Sequence, residues 1–155
     1  MRNAEITEIV KAAGMIQSWH GAAATREIEN NFEILGGIFG YKVAFRWLYD
    51  IIWCKEESQF PDIKETTDKV LTLVPMVLEC ELNKWHPDVD GDFQKLLLAR
   101  AEVRVWITSC KDAKRHIDLC KNQISRFPGT SGDHYVFAVY DQKDGKPIIE
   151  HYVAP

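Results

Sequence analysis

The run Val74-Pro-Met-Val-Leu-Glu-Cys-Glu-Leu82 is apolar except for Glu79 and Glu81, and it limits the fold more tightly than any other segment. Residues two apart on a strand leave the same face, so both carboxylates point to one side of whatever sheet holds this segment. Acids in a core strand are costly unless a cation or hydrogen bonds offset their desolvation. The chain offers partners: Asp50 in the strand-like Phe45–Trp53, and Lys95 a short way downstream. A buried strand carrying a working pair of acids is the expectation.

A chain of 155 residues, 46% hydrophobic, can build one packed core but not two ordinary domains. No apolar stretch approaches the roughly 20 residues needed to span a bilayer. The first helical segment carries Glu5 and Glu8 and lacks the basic start and apolar block of a secretory signal. A cytoplasmic protein with no membrane partner is expected. Cys54, Cys80, Cys110 and Cys120 lie on different elements with no Cys-x-x-Cys pair, which fits reduced thiols. Cys110, His116 and Cys120 lack the fourth ligand and the spacing of a zinc site.

The net charge of -4 argues against a broad basic footprint for nucleic acid and leaves such binding to a local face. The segment after Ser109 supplies one: Lys114, Arg115 and Lys121, with Lys111 and Arg126, are the candidate nucleic-acid contacts, against a plain solvated helix face.

Apolar spacing predicts a helix over 3–18, a second from the Thr25 N-cap through Leu35 with Gly36-Gly37 ending it, and strand structure over 41–53, as one bent strand or a pair. Polar residues 54–69 read as a surface loop, residues 70–82 as a strand, and 85–92 as a turn-rich loop. Asp92 is expected to cap a helix over 93–101, followed by a strand over 102–108. A capping-box-like start at Ser109–Asp112 opens another helix. Strands over 134–141 and 147–153 are joined through Asp144-Gly145, a strong hairpin signal. This order predicts a single α/β sandwich, a mixed sheet flanked by helices. Asp88-x-Asp90-Gly-Asp92 is not a calcium loop, because aligning Gly91 puts His86 and Leu97 where oxygen ligands are required. Trp47, Trp53, Trp85 and Trp106 are expected in the core, with stacking on bases as the alternative.

Asp50 in an apolar strand, Glu79-x-Glu81 at the end of a second, and Asp92-Phe-Gln-Lys95 opening a helix before a third strand resemble the core of the PD-(D/E)xK nuclease superfamily over residues 25 to 108. The resemblance implies a single restriction-endonuclease-like domain over 1–155, with an N-terminal helix at 1–20 and a C-terminal hairpin at 133–155. It implies Asp50, Glu79 and Glu81 as ligands of Mg2+, with Mn2+ as a substitute, and Lys95 as the catalytic cation. Glu81 stands where the family most often has Lys, and Lys95 would supply that charge from the following helix. A helical acid before the core is also implied, with Glu29 the better placed and Glu27 and Glu33 the alternatives.

Such a site hydrolyses phosphodiester bonds of DNA with metal-held oxygens, an activated water and a cation near the phosphate. A chain this small would work as a homodimer or beside a partner protein. Two alternatives stand beside it: an inactive nuclease-fold protein acting as an interaction or assembly subunit, and a sugar- or nucleotide-handling hydrolase using the acid pair for general acid-base work, which metal dependence would separate from the nuclease.

Overall fold

The structure, a computed structural model, describes residues 1–58, 69–82 and 89–155. The turn-rich loop through Trp85 and most of the loop expected over 54–69 therefore lie outside the described residues. The elements are α1 (Asn3–Gly14), α2 (Gly21–Ile38), β1 (Lys42–Phe45), β2 (Ile51–Ser58), β3 (Lys69–Glu81), α3 (Val89–Leu98), β4 (Val103–Cys110), α4 (Ala113–Arg126), β5 (His134–Asp141) and β6 (Lys146–Val153).

The six strands form one mixed sheet in the order β1-β2-β3-β4-β5-β6. β1, β2 and β3 pair antiparallel, β3, β4 and β5 pair parallel, and β6 returns antiparallel to β5. The two parallel steps move the same way along the sheet, so equal crossover handedness puts α3 and α4 on one face. There Phe93, Leu96, Ile117 and Ile124 pack with Val77, Trp106 and Phe137. α1 and α2 cover the other face, packing Ile6, Ile9, Ile28 and Phe32 against Trp53, Leu78 and Val105. Both faces of the central strands are therefore buried, as parallel pairing with flanking helices requires. β2 and β3 continue past the end of β1, whose last partner is Cys54. The two form a ribbon, Lys55–Ser58 against Lys69–Leu73, set off by register shifts around Lys55.

Several expected boundaries are corrected. α1 stops at Gly14, and α2 begins at Gly21 with His20 in the N-cap position, so Thr25 is inside the helix and caps nothing. Glu27 instead accepts the backbone N–H groups of Gln17 and Ser18 at 2.8 and 2.9 Å, pinning the α1–α2 link to α2. Gly36-Gly37 does not end α2, which continues to Ile38. A Cβ on Gly36 would lie 2.6 Å from Val43 Cγ2 and 2.7 Å from Trp53 Nε1, so this glycine serves close packing of the helix on β1 and β2. Residues 54–58 belong to β2 rather than to a loop. The segment 41–53 is a pair of strands joined by a turn at 46–50, which leaves Asp50 just outside β2. Arg46 holds that turn at φ 53, and its N–H donates to Asp50 O at 3.0 Å.

α3 starts at Val89 and ends at Leu98, so Asp92 is inside it and Lys95 sits beyond its first turn. Buried Arg104 fastens the end of this helix: Nε donates to Leu96 O at 3.0 Å and Nη2 to Ala99 O at 2.6 Å, a cation where helix carbonyls are unpaired. The guanidinium also meets Asp133 at 2.8 Å. α4 is capped by Asp112, which accepts from Arg115 N–H at 2.9 Å, and the β5–β6 hairpin turns at Gly145 with φ 67.

Candidate functional site

Asp50 and Glu79 are brought together by the ladder between β2 and β3. Ile51 pairs with Leu78, so Asp50 comes opposite Glu79 as β2 begins. Asp50 Oδ2 accepts the backbone N–H of Cys80 at 2.7 Å, which fixes its carboxylate against β3. Glu79 lies on the face covered by α3, only 3% exposed, and its Oε1 has no hydrogen-bond partner among the described residues. Lys95 reaches back from α3, as helical side chains lean toward the N-terminus. Its Nζ stops 3.6 Å from Glu79 Oε1, beyond hydrogen-bond range, while meeting Asp92 Oδ1 at 2.7 Å. Tyr49 closes the group from the turn, its hydroxyl 3.5 Å from Lys95 O.

The electrostatics follow from this crowding. Burial, then the charge of Asp50, pushes the Glu79 carboxyl up to about 8, with Lys95 opposing. Burial also raises the Asp50 carboxyl, against the lowering effects of the Cys80 N–H and of Lys95. The Asp92 hydrogen bond holds the Lys95 ammonium above its ordinary range, so it stays charged. Buried Glu79 and half-buried Asp50 therefore share the charge of one ammonium, that of Lys95.

Glu81 is on the same face two residues on, half-buried, with its carbonyl accepting from Thr108 Oγ1 at 2.7 Å. The charges that chiefly act on Glu79 are those of Asp50, Lys95 and Asp92 rather than Glu81. Among the described residues no group of three or more His, Cys, Asp and Glu is arranged to hold a metal ion. Glu29 lines a small enclosed cleft of ≈ 60 Å³ with Asp50, Arg46 and Cys80. Its carboxylate bonds Arg46 Nη2 at 2.9 Å, so Arg46 pairs with Glu29 rather than with Asp50. Of the three helical acids only Glu29 borders Asp50; Glu27 is taken up at the α1–α2 link and Glu33 is exposed.

Lys114 and Arg115 are exposed on α4 beside Asp112 and Asp118. Lys121 is ion-paired to Glu150, its ammonium lying 5.4 Å from the centre of the Tyr152 ring. Trp53 and Trp106 are core residues, whereas Trp47 is exposed. Sequence reasoning missed Asp92 and Tyr49 as members of the group. Asp92 stands three residues before Lys95, the spacing that makes helical neighbours, and that signal was there to be read.

No protein-family model matches the chain, and neither curated proteins nor solved structures give a match. Among the described residues no helix is long and apolar enough to cross a membrane.

Proposed function

We propose that this chain is a Mg2+-dependent nuclease of the PD-(D/E)xK kind, hydrolysing phosphodiester bonds of DNA. The observation that carries the reading is Glu79: a buried carboxyl set opposite Asp50 with, among the described residues, one oxygen unsatisfied and the Lys95 ammonium out of hydrogen-bond range. Unsatisfied buried polar atoms are rare in folded proteins, and a missing ion is one of their causes. The donors are hard oxygens, and Mg2+ binds through one or two carboxylates while keeping water and substrate phosphate in its other positions. The residues present therefore fit the ion, with Asp50 and Glu79 holding it and Glu81 and Asp92 beside them. Mn2+, which also suits oxygen ligands, is the expected substitute.

When bound, the metal would supply an activated water and neutralise charge developing on the phosphate. The chain's own groups orient that chemistry. The Cys80 N–H holds Asp50 in place, Asp92 steers Lys95, and the Lys95 ammonium is available to a phosphate oxygen at the mouth of the site. The run α2-β1-β2-β3-α3-β4, with acids on β2's threshold and on β3 and a lysine on the following helix, supports the same reading. Lys114 and Arg115 are the proposed outer phosphate contacts, and a second copy or partner protein would complete binding of a duplex.

A second reading, an inactive nuclease-fold interaction subunit, is favoured by one observation: Lys95 is engaged by Asp92 and held off Glu79. Calorimetric titration with Mg2+ and Mn2+, followed by cleavage of supercoiled plasmid, decides between them. We expect metal binding and nicking in the native chain and loss of both in Glu79→Ala. Metal binding by neither protein, with no nicking, would leave the interaction reading standing.

A further inference from the structure

The turn between β1 and β2 presents two apolar side chains to solvent, Trp47 at 63% exposure and Leu48 at 66%. The other described tryptophans, Trp19, Trp53 and Trp106, are buried. A tight turn has no folding need for an indole at its tip, where polar residues and glycine are the usual choice. This one also contains Arg46 in the left-handed region, a conformation non-glycine residues seldom adopt and one that gathers at functional sites. The turn leads straight into Tyr49 and Asp50. Three residues of chain span at most about 11 Å, so the indole stands within a few stacked nucleotides of a phosphate held at Asp50 and Glu79.

Resting on the nuclease reading, we propose that Trp47, with Leu48 beside it, is a base-stacking platform that directs this site to single-stranded DNA or unpaired ends. Only an unpaired base offers its flat face to an indole, and such stacking tolerates any sequence. Two partly exposed cations stand near the turn, Arg46, ion-paired to Glu29, and Lys95, ion-paired to Asp92, and each could exchange its carboxylate for a phosphate. Two side chains fall far short of the roughly 800 Å² per partner of a stable protein interface, but match one or two bases.

The test compares native chain, Trp47→Ala and Trp47→Phe on one 2-aminopurine-labelled oligodeoxynucleotide, single-stranded and as blunt duplex. Anisotropy and 2-aminopurine quenching are read in Ca2+, and cleavage of the same DNAs in Mg2+. The single strand should bind more tightly than the duplex. Trp47→Ala should lose affinity about 10-fold together with the quenching, while Trp47→Phe keeps most of both. Because the side chain is exposed, all three should melt alike. Equal single-strand binding and quenching by the native chain and Trp47→Ala, or tighter binding of duplex, overturns the inference and leaves any cleavage untouched. Trp47-dependent binding without cleavage overturns the nuclease reading and leaves the platform. Failure of the native chain to bind either DNA, with a Trp47-dependent change in sedimentation, would make the turn a protein contact and overturn the proposal.

Discussion

Glu79 holds a proton where an ordinary glutamate would not, and this has a consequence for stability without metal. The folded carboxyl keeps its proton up to about pH 8, whereas the unfolded one releases it near its ordinary 4.5. Between those values the folded state binds more protons, so metal-free stability should fall as pH rises from about 5 to about 8 and level off above. Denaturant unfolding across that range should show the slope in the native chain and a flatter one in Glu79→Gln. An equal slope in both proteins would place the titration elsewhere. At this scale much of the site was legible, because strand parity and the β2–β3 ladder alone join Asp50 to Glu79, and Lys95 followed from its place on the next helix. Asp92 was hidden by being read as a cap: the helix starts four residues earlier than the sequence signals, which turns a terminal aspartate into an interior one facing Lys95.

Among the elements, β5 and β6 matched their expected limits closely because local signals agree with tertiary ones, Asp144-Gly145 turning between unbroken apolar strands, whereas α4 starts later than the expected capping box, with Ser109 and Cys110 still in β4 and Asp112 as the cap. α2 did not match either. Gly36 looks like a stop in sequence, yet its reason lies in Val43 and Trp53, residues that meet it only in the folded sheet. Gly36→Ala should therefore destabilise, although alanine is the better helix former. Overpacking of this kind costs about 1–3 kcal/mol, more than the ~1 kcal/mol gained in propensity. Urea unfolding checks the sign, and a stabilised variant would refute this packing role. The turn at 46–50 was illegible for a related reason: it contains neither glycine nor proline, and Arg46 takes the strained conformation itself.

At the scale of the molecule, the sheet orders its strands as the chain does, with helices on both faces, so the α/β sandwich expected from element order holds. The site lies where antiparallel and parallel halves of that sheet join, on β3. Metal held there would bind only the folded chain and would stabilise it by linkage. Mg2+ at about ten times its dissociation constant should raise the melting temperature by ~2–6 °C for a chain this size, with EDTA reversing the shift and Glu79→Ala abolishing it. No shift in the native chain would count against the proposed metal site. Past Cys54 the outer edge of β2 has no partner strand among the described residues, and Lys55, Glu56 and Glu57 occupy that stretch. Unpaired strand edges are templates for intermolecular β-pairing, and charge is the usual guard against it. The three residues act as gatekeepers, and the same ribbon built from valine and threonine would seed aggregation at concentrations the natural sequence tolerates.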